Sequence, residues 1–152
     1  MARPHRLLQA AAVIGASTLV AGCSFMTPIQ TTEPYAPGDG VRVEISDDVR
    51  VENLMVLADE EGAEGQVFGA LVNDSVEEVA MSVTIGDGGI QMSLEPGQTV
   101  LLGPEEVVVI PTTPVPPGAM AEALIETAGY GTVSAPVPVL GDALPPYAPY
   151  VP

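Results

Sequence analysis

The sequence contains no lysine and no tryptophan, and it has one histidine and one cysteine. Each shortage excludes a class of chemistry. A single thiol, Cys23, rules out an intrachain disulfide, so a folded domain must be held by packing alone. The histidine, His5, lies upstream of Cys23 with Arg3 and Arg6. A chain beginning at Cys23 therefore lacks both histidine and lysine. Serine–histidine–aspartate, cysteine–histidine and serine–lysine arrangements are then closed to it, as are histidine-dependent zinc sites. The absence of tryptophan and of a cysteine pair also removes the hallmarks of a true antibody-type domain.

What is present first is an export signal. Arg3, His5 and Arg6 precede an apolar run from Leu7 to Val20, and the small residues Ala21 and Gly22 stand directly before Cys23. A cationic start, an apolar stretch and small residues at a cut site make a secretory signal, and the run is shorter than the ~20 residues a membrane span needs. Arg3 and Arg6 are not adjacent, so a twin-arginine signature is absent. The ending Leu19-Val20-Ala21-Gly22-Cys23 gives the lone thiol a chemical use, as the acceptor of a diacylglyceryl group on a bacterial lipoprotein. Residues 1–22 are thus read as the signal peptide and Cys23 as the lipidated residue. Two acyl chains on one residue meet the two-signal rule for stable anchoring. The expected location is the extracytoplasmic face of the cell membrane, with the lipid bilayer as the first partner.

Removal of residues 1–22 leaves Arg42 and Arg50 as the only cations against 20 acidic residues, a formal charge of −18. Such a surface repels phosphates, which excludes nucleic acid as a partner. It also repels anionic headgroups and favours a domain standing off the membrane on a tether.

Residues 23–40 carry Pro28, Pro34, Pro37 and the Gly38-Asp39-Gly40 turn signal without periodicity, and read as a flexible tether. Beyond them the pattern changes. VRVEIS from Val41 alternates, VRVENLMVLA from Val49 places Val49, Val51, Asn53, Met55 and Leu57 on one expected face, and QVFGALVN is apolar on both faces. Residues 77–94 read as a hairpin about Gly86-Asp87-Gly88-Gly89. QTVLLG and EVVVIP add two short strands before the proline-rich TTPVPPG. AMAEALIETA, residues 119–128, has helix-forming composition but is followed at once by Gly129-Tyr130-Gly131 and TVSAPVPVL, and is read as half of a terminal hairpin. Residues 141–152 read as an extended Pro/Tyr-rich tail. Eight or nine short strands with almost no helix predict an all-β immunoglobulin-like antiparallel β-sandwich over residues 41–140, with a small barrel as the alternative.

Candidate sites are few. The neighbouring carboxylates Asp47/Asp48, Glu60/Glu61, Glu77/Glu78 and Glu105/Glu106 point to opposite faces if in strands, and are ill placed to share a proton. No catalytic residue and no cofactor is assigned, and the chain is expected not to be an enzyme. Asp59, Glu60, Glu61 and Glu64, in a glycine-punctuated loop, offer oxygen ligands for a weak calcium site, without the spacing of a dedicated calcium loop. Met55, Met81, Met92 and Met120 carry soft thioethers suited to Cu(I), but their place on apolar faces favours core packing. Asn73-Asp74-Ser75 is read as a turn rather than a glycan acceptor.

The order of lipobox, proline-rich tether, VRVENLMVLADEEGAEGQVFGALVND, LEPGQTVLLG and a closing VPVL…YAPY resembles the small exported lipoproteins of actinobacteria of the LpqE type. The resemblance implies a lipid-anchored extracytoplasmic β-sandwich, distantly similar in shape to copper chaperones of the PCu(A)C kind. Those use clustered histidine and methionine ligands, and without a histidine after Cys23 no copper ligand is carried over to any position. The expected function is a non-enzymatic interaction or accessory module of an envelope or membrane complex, with Tyr147 and Tyr150 as a contact segment. The alternative is a metal-binding lipoprotein, for calcium at the acidic loop or for copper.

Overall fold

The computed structural model describes residues 38–143 and 145–152. Nine strands form in chain order: β1 (Val41–Glu44), β2 (Val49–Ala58), β3 (Gly65–Asn73), β4 (Val79–Ile85), β5 (Gly88–Leu94), β6 (Thr99–Leu102), β7 (Val108–Ile110), β8 (Met120–Thr127) and β9 (Gly131–Leu140). The helix-forming composition of 120–127 is overridden by its alternation. Ala121, Ala123, Ile125 and Thr127 are buried while Met120, Glu122, Leu124 and Glu126 are exposed, a period of two that only a strand satisfies.

The strands pair in the order β5-β4-β8-β9-β2-β3-β6, with β1 also on β2 and β7 also on β3. All ladders but one are antiparallel. The exception departs from the purely antiparallel expectation: β9 pairs with β8 as far as Pro138, opposite Met120, and then runs parallel to β2 through Val139 and Leu140, opposite Val56 and Leu57. One strand thereby belongs to both halves of the sandwich. The β4–β5 hairpin closes with Ile85 opposite Gly88. Gly86 opens its two-residue loop at φ 57°, the glycine position of a type II′ turn.

The halves meet in a core that includes Val49, Val51, Leu54, Val56, Leu71, Met81, Ile85, Leu94, Ile110 and Ile125. Each fully buried aliphatic side chain contributes about 1.5–3 kcal/mol of transfer free energy. A second, smaller cluster of Met55, Leu57 and Phe68 lies apart from it, joined by Leu140, Tyr147 and Val151.

The two clusters exist because β2 changes face. Glu52 opposes Ala70 but Met55 opposes Phe68, so β2 carries one residue more than β3 over this interval. Asn53 sits at φ 51°, a left-handed conformation that asparagine tolerates better than most residues. Its Oδ1 accepts the Gly40 N–H at 2.8 Å. This bulge sends Leu54 and Val56 into the main core and turns Met55 and Leu57 outward. The uninterrupted alternation expected from Val49 to Leu57 is thus broken in the middle.

Asn73, fully buried at the end of β3, fixes the corner that follows. Its Nδ2 lies 2.8, 3.0 and 3.1 Å from the carbonyls of Glu77, Leu94 and Glu95. Its Oδ1 accepts the Ser75 N–H at 3.0 Å and hydroxyl at 2.6 Å. The Asn73-Asp74-Ser75 turn is built on this amide.

Candidate interaction surface

Cys23 lies outside the described residues. The acidic loop between β2 and β3 is described, and Asp59, Glu60, Glu61 and Glu64 are all exposed. Its backbone is tied to a neighbouring segment rather than wrapped about a point: the Gly62 N–H donates to the Thr113 carbonyl at 2.9 Å, and the Thr113 N–H to the Ala63 carbonyl at 2.7 Å. Among the described residues no three His, Cys, Asp or Glu side chains converge closely enough to hold a metal ion, and this includes those four. The neighbouring carboxylate pairs at 47/48, 77/78 and 105/106 are also exposed.

The methionines divide. Met81 belongs to the main core and Met55 to the smaller cluster. Met92 packs half-buried against the main core, directly opposite Met81 in the β4–β5 register. Met120 differs from the expectation of core packing, since it is half-exposed. Being the first residue of β8 on the outward parity, it projects from the sheet.

Arg42 and Arg50 are brought together by the β1–β2 pairing, and both are engaged. Arg42 meets Glu44 at 2.8 Å and Glu52 at 3.5 Å. Arg50 meets Glu52 at 2.8 Å and Asp74 at 2.6 Å. Its hydrogen bonds to Asp74 and then Glu52 raise the guanidinium above its ordinary value, against a small desolvation effect. Every cation among the described residues is therefore neutralised by Glu44 and Glu52 of the β1–β2 pair and by Asp74 of the turn after β3, and the other faces carry carboxylates without a counter-charge.

One of these is the outward face of β4, β5, β8 and β9. Along β8, Met120 and Leu124 alternate with Glu122 and Glu126, all exposed. The Ser134 hydroxyl donates to Glu122 at 2.6 Å, and the Ser82 hydroxyl lies 3.5 Å from Glu126. An open hollow of about 370 Å³ beside Glu126 is bordered also by Ser82, Gln91 and Thr132. Such a surface suits a cationic partner with apolar side chains between its charges. The alternation of β8 carries this face in the sequence, since Met120, Glu122, Leu124 and Glu126 share one parity.

On the opposite side of the sandwich, the tail is not the extended segment its prolines predict. It turns through a short 3-10 helix at Ala148–Tyr150. Tyr147 and Val151 pack on Met55, Leu57 and Phe68, and the Tyr150 ring meets Phe68 edge-on with centroids 5.2 Å apart. Beside Phe68 an open hollow of about 280 Å³ continues over Gly69, Ala70, Leu101 and Pro104. Nothing in the tail's composition marks this contact, because its other half is supplied by the outward turn of β2.

No family model matches the chain, and no curated protein matches it. Solved structures do. The apo PCuAC domain from PmoF1 superposes with a TM-score of 0.55 at 13% identity, covering 66% of this chain and 99% of that one. The copper-bound PCuAC domain from PmoF2 gives 0.52 at 17% identity, over 66% and 98%. The apo PmoF2 PCuAC domain gives 0.52 at 18%, over 62% and 90%. At these identities the likeness is one of fold, and the described domain is an all-β sandwich with the architecture of a PCuAC domain.

Proposed function

We propose that the protein is a lipoprotein anchored through Cys23 to the extracytoplasmic face of the cell membrane, of the actinobacterial LpqE type. Its β-sandwich serves as a non-enzymatic accessory module of a membrane or envelope complex. The observation that carries the reading is the ion-pair ladder on β1 and β2. By engaging both Arg42 and Arg50 with Glu44, Glu52 and Asp74, it leaves the β8–β9 face with Glu122, Glu126, Met120 and Leu124 and no cation among the described residues. A basic protein surface is the complementary partner, with steering that weakens as salt screens it. Crosslinking the tagged lipoprotein in its own membranes, followed by mild solubilisation, should recover one stoichiometric partner. The Glu122→Lys/Glu126→Lys variant should lose most of it. Recovery unaffected by charge reversal and by ionic strength would overturn the assignment of this face.

A second reading, copper handling, is favoured by the fold likeness to a copper-bound PCuAC domain and by the cross-strand pair Met81 and Met92. Thioethers bind Cu(I), but Met81 is buried and Met92 half-buried against the main core, so a site here would need Met81 and Met92 to move outward. Calorimetric titration with Cu(I) under reducing conditions tests it, and the absence of binding heat would remove it.

A further inference from the structure

The cluster of Met55, Leu57 and Phe68 is apolar surface on the outside of a sheet, covered by the chain's own C-terminal segment. Met55 is 2%, Leu57 0% and Phe68 9% exposed with the tail in place. The tail is nevertheless held lightly. Among the described residues the backbone hydrogen bond made by 145–152 is internal, from the Tyr150 N–H to the Tyr147 carbonyl at 2.8 Å. Attachment rests on the Tyr147 and Val151 side chains, the Phe68–Tyr150 edge contact, and one hydrogen bond from the Tyr147 hydroxyl to Asp39. A segment fixed by side chains without a backbone ladder belongs to the low end of local opening free energies. Its departure would expose a contiguous apolar patch of the kind that marks interaction sites.

The groove is also longer than its occupant. From Phe68 it continues into the hollow over Gly69, Ala70, Leu101 and Pro104. Gly103 permits this, since a Cβ there would come within 2.6 Å of the Phe68 ring.

We propose that this groove is a docking site for an aromatic–proline segment of a partner protein, which enters at the open hollow and displaces the tail. The tail itself specifies the chemistry: aromatic rings for Phe68, a phenolic hydroxyl for Asp39, and prolines that restrict the backbone and so lower the entropic cost of docking. The proposal deepens the accessory-module reading and rests on it for the partner's existence, but the groove is testable without that partner. A fluorescent peptide of residues 143–152 serves as the probe, added to the full chain and to its Tyr147→Ala/Tyr150→Ala variant.

The variant, whose own tail is loosened, should bind the peptide at least ten-fold more tightly than the unmodified chain. Phe68→Ala added to it should reverse most of the gain, since that ring is the one Tyr150 meets. Equal affinity for both chains, or a gain that Phe68→Ala leaves untouched, would overturn the proposal. If the double variant melts with the peptide absent, Tyr150→Ala alone carries the same comparison, because that ring is 46% exposed. Failure to recover a partner from membranes would overturn the accessory reading and leave the peptide result standing.

Discussion

The Tyr147 hydroxyl donates a hydrogen bond to Asp39 Oδ2 across a sequence separation of 108 residues, and so joins the end of the chain to the segment that enters the domain. The proton is held by this bond, with burial and the Asp39 charge acting in the same direction, and Tyr147 is raised above the ordinary phenol value of 10.0. A folded value above the unfolded one means the contribution is complete below pH about 10 and is lost as the pH rises through the raised value. The tail should therefore loosen in alkali. Tyr147→Phe should abolish that alkaline step while lowering stability by about 0.5–1 kcal/mol at neutral pH, read by thermal melts at several pH values beside an ultraviolet phenolate titration.

At Asn53 the left-handed backbone and the Oδ1 bond to Gly40 act together. Asn53→Ala should cost about 2 kcal/mol, from αL strain and the lost acceptor. Asn53→Gly relieves the strain and should cost less. Chemical denaturation of the two variants gives the ordering, and an equal loss in both would mean that backbone strain is unimportant at the bulge.

The Asn73 amide serves three carbonyls on two segments. Asn73→Ala removes this donor from all three, the bond to Leu94 being buried, and should cost about 3 kcal/mol. Asn73→Asp should fare no better, since it replaces the donor with an acceptor. Urea unfolding midpoints test both.

Strand existence and the β8–β9 hairpin were legible because alternation and turn residues report them locally. The change of face in β2 was not, since one asparagine in the left-handed region leaves no trace in hydrophobic periodicity. Strict alternation from Val49 places Met55 and Leu57 with Val49 and Val51, and the bulge reverses this. The parallel β2–β9 pair was hidden for a different reason, being a contact between residues far apart in sequence with no turn to announce it. The tail's prolines correctly indicate a segment outside any ladder, but its resting place depends on Phe68. Of the candidate sites, the acidic loop is explained by its backbone bonds to Thr113, which composition does not encode, and Cys23 lies outside the described residues.

Thr113 itself offers a stabilising change. Its Oγ1 is buried with no hydrogen-bond partner among the described residues. Thr113→Val keeps the shape and removes the unsatisfied group, and should raise stability by about 1 kcal/mol. A lower melting temperature would show the hydroxyl to be satisfied in solution.

For anchoring, Cys23→Ala should prevent acylation and shift the protein from the membrane fraction to the soluble one. Intact-mass analysis and fractionation read this together, and an unchanged mass and location would exclude lipidation at Cys23.

Because β9 is shared by both halves of the sandwich, the domain is bound like a book, with that strand as its spine. On the far side β5 and β7 meet without a backbone ladder among the described residues, and Gly88 lies against Ile110 there, where an added Cβ would fall 2.8 Å from its Cα. The pages can part along that fore-edge while the spine stays intact. Amide exchange should thus enter the core from the β5–β7 side, and the parallel pair at Val139 and Leu140 should be among the last to yield.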